Sequence, residues 1–503
     1  MPEHLSRLQV TAGLLLLALL ALPFADLTLA GHDPRGVLWR MAQGFLAPDF
    51  SAVDEIGRAL LLTVMFAVAG VAAGGVAGVI MAPFYDRPGL RAFCIALRSV
   101  HELFWALLLL QVFGIGALTG VLAIALPYAG IFAKVFAEHL DEADQRSARA
   151  LPKGVDALSR FLYARAPLAL EPMRIYALYR LECGLRSSAV LGFIGLPTLG
   201  FQLDSFFRQG EYGAASAIMI LYVALIASIR LWMRWRLVPV WIAAALGVLA
   251  SVQSPPMGQG ALWRFLTEDI VPVPLRGGCD GAALADWLRD ILTMEALPGL
   301  VATVICAQIA LALTGAVAFF GFGLIVPRVS GRVGAALGHL GLVILRSFPE
   351  YMLAYLFVQV FGPSMLPAIL ALSLHNGAII GHLLGRQAEA LCPDLRADAP
   401  RGATLWGWEL VPRLFGPFLA LCLYRWEIIL RETAVMGLLG VMTLGFFIDS
   451  AMAELRLDRA LVLLVVAGGL TAAVDALSRA IRRRLGTGAL RRVPRETLLG
   501  ERA

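Results

Sequence analysis

With 503 residues, 59% of them hydrophobic and only 16% charged, the chain carries more apolar surface than a water-soluble protein of its length can bury, since soluble domains hold roughly a quarter charged residues. Its mean hydropathy of +0.77 calls for lipid as solvent. The formal charge of +6 is almost wholly arginine, with lysine only at 134 and 153. No basic patch is interleaved with aromatics, so the excess points to membrane-flanking loops rather than to nucleic acid.

Apolar stretches of spanning length occur at 11–30, 58–82, 94–113, 115–136, 172–196 and 213–232, then at 238–254, 297–326, 336–360, 364–385, 415–440 and 458–477. A helix needs about 20 residues to cross ~30 Å of hydrocarbon, so the pattern predicts an all-α polytopic membrane protein of about twelve transmembrane helices. The first stretch, from Thr11 to Ala30, exceeds the ~7–15 residues of a signal-peptide core and reads as an uncleaved span. The fifth stretch of each half is interrupted by charge.

Arginine placement sets the expected orientation. Segment 31–56 holds two arginines against four acids, and 255–296 three against six. Arg230, Arg234 and Arg236 follow span six, Arg328 and Arg332 follow span eight, and the tail from 478 has eight arginines against two acids. The positive-inside rule then puts both termini in the cytoplasm, together with the long loops 138–170 and 386–414. Segment 281–296 sets Leu284, Trp287, Leu288 and Ile291 on one helical face, as expected for a helix lying along the outer interface.

The chain repeats itself. Arg98-Ser-Val-His-Glu102 and Gln111-Val-Phe-Gly114 return as Arg346-Ser-Phe-Pro-Glu350 and Gln359-Val-Phe-Gly362, at an offset of 248. Leu178-Tyr-Arg-Leu-Glu182 returns as Leu423-Tyr-Arg-Trp-Glu427 at an offset of 245, and the match runs on to Thr198-Leu-Gly-Phe201 and Thr443-Leu-Gly-Phe446. Each half carries its long loop after its fourth span, so the halves are expected to be parallel six-helix repeats: 1–236, then 237–485, with 486–503 as a basic cytoplasmic tail.

In each half the fifth span opens with charge: Arg180, Glu182 and Arg186, then Arg425, Glu427 and Arg431. Glu182 and Arg186, like Glu427 and Arg431, are four residues apart and share a helix face. For a helix starting at Pro172, Arg180 lies ~12 Å in and Arg186 ~21 Å in, where an unpaired charge is costly. Two readings stay open: a structural ion pair that fixes packing, and a positive path in which Arg186 and Arg431 attract an anion. Gly192 and Gly195, and likewise Gly437 and Gly440, follow the cluster and suit a broken helix or gate.

Enzymatic motifs are absent. The seven histidines form no HExxH pattern, and neither lysine is followed by Ser or Thr, so no Walker A loop exists. Any ATP and magnesium would belong to a partner, and no cofactor is expected in this chain. The six cysteines have no CxxC spacing, which argues against a zinc site or a disulfide framework.

The string from Tyr179 through Arg186 to Gly195, with its second copy, resembles the YR-x-E-x-x-x-R-x-x-x-VLG-x-x-G signature of phosphonate ABC transporter permeases. Phe45-Leu-Ala-Pro-Asp-Phe-Ser51 ahead of Leu60-Leu-Leu-Thr63 and the segment from Arg98 to Phe113 are similar to that family as well. The resemblance implies a type I ABC importer permease with two units fused in one chain. It implies two ATPase subunits docked on cytoplasmic coupling loops, a periplasmic or lipid-anchored substrate-binding protein, and the bacterial inner membrane. The docking motif falls on Arg149 and Gly154 in the first repeat and on Arg401 and Gly402 in the second, without the family's glutamate and with Pro152 and Pro400 beside it. The implied cargo is phosphonate or a related phosphorus oxyanion such as phosphite or phosphate. A major-facilitator-like secondary transporter is the alternative, since Asp86-Arg-Pro-Gly-Leu-Arg91 echoes its loop motif. That fold, however, would put its longest loop between the halves. A membrane-embedded enzyme would need a convergent catalytic constellation, whereas the charges here come in symmetric pairs.

Overall fold

The computed structural model describes residues 6–29, 31, 33–51, 56–143, 146, 151–152, 154–252, 254, 258, 260–276, 278, 280–396 and 398–485. Arg149 and the tail 486–503 lie outside the described residues. The first repeat forms α1 (Arg7–Ala21), α2 (Pro34–Leu46), α3 (Ile56–Met81), α4 (Pro88–Ser99), α5 (Glu102–Phe113), α6 (Ala117–Glu142), α7 (Ala166–Val190), α8 (Leu199–Gln209) and α9 (Tyr212–Ala227). The second follows in the same order with α10 (Val238–Ala250), α11 (Gly281–Asp290), α12 (Leu297–Leu324), α13 (Pro327–Ser347), α14 (Glu350–Phe361), α15 (Met365–Leu391), α16 (Val411–Val435), α17 (Leu444–Ala453) and α18 (Leu457–Arg484).

Among the described residues, six helices are long and apolar enough to cross a membrane, and four further helix pairs qualify as bent spans. The third span of each half is not straight. Between α4 and α5, and again between α13 and α14, the axis turns by 93°. Val100 and Phe348 adopt extended backbone there. In the second repeat Pro349 enforces this on the residue before it; in the first, His101 Nδ1 accepts the Leu103 N–H at 3.2 Å. Even so, each bent pair makes a single crossing. Gly70, Gly74 and Gly78 of α3 meet Ile124, Tyr128 and Phe132 of α6 in that order. Both numberings rise together, so α3 and α6 are parallel and the chain between them crosses once. Gly377 and Gly385 of α15, against Val317 and Ile325 of α12, repeat the arrangement, with small residues letting the backbones approach.

Two expected spans and one expected interfacial helix change shape. The first ends at Phe24 rather than Ala30, after one 3₁₀ turn, because Pro23 leaves no N–H to extend the ladder. The sixth is only 16 residues long, with a separate turn over Ile229–Trp232. Segment 281–296, expected along the interface, instead runs without a break into α12 through a π-helical turn at Ile291–Ala296. The result is one helix of 44 residues.

The compact units cut the chain elsewhere than the repeat does: the described residues of 1–37 belong with those of 278–503, and those of 38–277 form the other unit. In the former, α1 packs on α12; in the latter, α10 packs on α3. Gln308, buried in α12, donates from Nε2 to the Leu14 carbonyl at 2.9 Å. The segment after each exchanged helix then caps a helix start. Met365 N–H donates to Asp26 O at 2.9 Å, and Ala117 N–H, at the matching position, donates to Ser254 Oγ at 3.3 Å.

Candidate functional site

The charged cluster of the first repeat sits at mid-depth. Gly184 of α7 touches Val71 of α3, and Ser187 lies 3.4 Å from the hydroxyl of Tyr128 at the centre of α6. Glu182 and Arg186 form the ion pair that their spacing predicts, Arg186 Nη2 donating to Glu182 Oε1 at 2.8 Å. Arg180 turns elsewhere: its Nε donates to Tyr176 Oη at 2.7 Å, and its guanidinium lies over the rings of Tyr176 and Tyr179. Ser187 Oγ donates to Glu102 Oε1 at 2.7 Å, tying α7 to the start of α5 just past the 93° bend.

The second repeat fills the matching positions with different chemistry. Asn376 and Glu432 replace Tyr128 and Ser187 at the repeat offsets. Fully buried Asn376 bridges two helices. Its Nδ2 donates to Glu432 Oε2 at 3.0 Å, while its Oδ1 accepts from Arg425 Nη1 at 3.1 Å. A carboxylate can only accept and a guanidinium only donate, so the amide orientation is forced. Beside it, His375 Nε2 lies 3.4 Å from Glu350 Oε2. Glu427 and Arg431 also have polar partners. The second cluster thus holds three carboxylates, Glu350, Glu427 and Glu432, where the first holds two, Glu102 and Glu182. Every buried charge in a span needs such a counterpart.

Immediately beyond each cluster the helix breaks. A 3₁₀ turn at Leu191–Ile194 ends on Gly195 in the left-handed region (φ +95°), and Met436–Leu439 ends on Gly440 (φ +86°). The axis bends by 49° and 46° at these breaks. Gly192 and Gly437 have no room for a side chain, because a Cβ would run into the backbone N of Phe201 and of Phe446. Thr63 and Thr303 fix the far side of the breaks, accepting the N–H of Leu199 and of Leu444 at 3.0 Å in both repeats.

Of the expected docking residues within the described chain, Gly154 (φ +122°) is a turn glycine, Arg401 is exposed, and Gly402 (φ +66°) opens the helical stretch that leads into α16. Pro152 and Pro400 fall in irregular backbone rather than inside a helix. Each loop is tied back to its spans. Arg165 reaches the Leu140 carbonyl and Asp141, both at 3.3 Å; Arg396 and Arg413 both contact Glu409, at 3.5 and 2.7 Å. The sequence spacing singles out the arginines, Glu182 and Glu427 but not Tyr128, Ser187, Asn376 and Glu432. A polar residue inside an apolar span was the available signal.

No protein-family model matches the chain, and no solved structure matches it. Curated relatives do. The phosphate-import permease protein PhnE of Mycolicibacterium smegmatis is 25% identical over 484 residues, covering 88% of each chain. The phosphite transport system permease protein PtxC of Stutzerimonas stutzeri is 30% identical over 236 residues, which is 44% of this chain and 85% of the relative. A putative phosphite transport system permease protein, HtxE, of the same organism is 35% identical over 125 residues, 48% of its length. The chain of 503 residues is long enough to hold two units of the PtxC kind. A transport system of this type has an ATPase and a substrate-binding protein besides its permease, so the chain is a multi-pass transport protein and not itself the ATPase. It belongs to the phosphonate, phosphite and phosphate ABC-transport permease family, with two permease units fused in one chain.

Proposed function

We propose that the chain forms the translocation path of an ATP-driven importer for a phosphorus oxyanion: phosphonate, phosphite or phosphate. The observation that carries this reading is the arginine–glutamate cluster at mid-span, built twice. It offers cationic groups where an anion must leave water, and such groups in a membrane mark solute pathways. Arg186 and Arg431 attract the cargo, with Arg180, Glu182, Arg425 and Glu427 holding the charge balance of the clusters. The breaks at Gly192 and Gly195, and at Gly437 and Gly440, act as gates. Two ATPase subunits dock at the cytoplasmic face on loops 138–170 and 386–414, where Arg149, Gly154, Arg401 and Gly402 lie. A periplasmic or lipid-anchored binding protein delivers the cargo from the other side, in a bacterial inner membrane with both termini cytoplasmic.

Uptake of labelled phosphate, phosphite and a phosphonate by cells expressing the complete system tests the reading. Arg186→Ala and Arg431→Ala should each lower uptake at least tenfold at unchanged protein level, and an ATPase should copurify with the tagged chain. If both variants transport normally, the clusters only pack helices; if the chain transports without an ATPase, the importer reading fails.

A further inference from the structure

A second basic group recurs in both repeats, apart from the mid-span clusters. Arg91, Arg98 and Lys134, on α4 and α6, stand where α13 and α15 carry His339, Arg346 and His382, all at the offset of 248. In the second repeat these side chains meet. The rings of His339 and His382 lie 5.1 Å apart, and Arg346 Nη1 is 3.4 Å from His382 Nδ1. A guanidinium N–H can only donate, so Nδ1 presents its lone pair and the ring carries its proton on Nε2. That Nε2 is buried without a hydrogen-bond partner among the described residues, on a side chain only 9% exposed. Arg386, which is paired with Glu389 at 3.3 Å, adds another positive charge near both histidines. A buried donor left without an acceptor is costly. This one lies beside a guanidinium and a second imidazole, groups that draw an anionic oxygen.

We propose that His339, Arg346 and His382 form a binding site for a small oxyanion, about two helical turns along α15 from Asn376. His382 supplies the Nε2–H donor, Arg346 the charge and the tautomer, and His339 the second ring nitrogen. The counterpart positions in the first repeat keep the positive character with Arg91, Arg98 and Lys134, so the feature belongs to the repeated unit. A phosphate oxyanion and the phosphodiester headgroup of an anionic lipid share this chemistry.

The purified full-length chain in neutral detergent is titrated with inorganic phosphate, and thermal melting and calorimetric binding are read. In parallel, the chain is reconstituted in phosphatidylcholine discs with and without phosphatidylglycerol. Phosphate is expected to raise the melting temperature, and His382→Leu and the half-exposed His339→Gln each to weaken binding about tenfold. If only the phosphatidylglycerol discs give this histidine-dependent shift, the acceptor is a lipid headgroup on the same site. Absence of any shift in either arm overturns the proposal, as does an equal shift in wild type and both variants. Neither ATP nor a transport partner enters the measurement, so its outcome is independent of the importer reading.

Discussion

Asn376 shows how one buried side chain sets the character of a site. It holds Glu432 and Arg425 from opposite ends of its amide, so removing it leaves two charges without their shared partner inside a span. Asn376→Leu should destabilise the protein by about 3–5 kcal/mol, the cost typical of breaking a buried charged network. Ser187→Ala removes one hydrogen bond to Glu102 and should cost less, about 1–3 kcal/mol. Melting of the two purified variants in the same detergent gives the comparison, and equal losses would show that the second network carries no extra weight. The Glu182–Arg186 pair was legible in the sequence because four residues of helix bring two side chains together. The Asn376 bridge was not, since its partners lie 49 and 56 residues away and only packing brings them close.

Among the elements, the breaks after α7 and α16 are the sharpest test of local rules. Gly192→Ala and Gly437→Ala place a methyl group against the backbone of α8 and α17, and backbone cannot move aside cheaply. Each should reduce folded protein severely. Gly195→Ala adds only the penalty of a left-handed residue, about 1–2 kcal/mol. Gly247→Ala in α10 has open space around it and should be neutral or mildly stabilising. Fluorescence-detected size-exclusion profiles of the four variants would rank them; a normal profile for Gly192→Ala would show that the break can relax. The bends at Val100 and Phe348 escaped a hydropathy reading because the apolar helices on either side of each short polar motif add up to one spanning length, and a hydropathy window has no sense of direction.

For the whole molecule, the exchange of first helices between repeats is the main departure from the linear order. Helix α1 supplies the Leu14 carbonyl that satisfies buried Gln308, and the chain after it caps α15 through Asp26. Deleting residues 6–24 should therefore expose the unit containing 278–485 to limited proteolysis while 38–277 stays protected. If cleavage instead appears first within 38–277, the assignment of α1 is wrong. Composition, periodicity and the internal offsets of 248 and 245 were enough to determine a lipid-dissolved, all-helical chain built twice over, with its charges in the fifth spans. Those properties are written in residue types and short spacings, to which the membrane responds directly. Only the tertiary structure decided which repeat each first helix packs against, that the third spans bend yet cross once, and that Asn376 and Glu432 join the second cluster. One apolar helix face offers the same attraction to lipid as to another helix, so partners are chosen by close packing and by hydrogen bonds between residues distant in the chain.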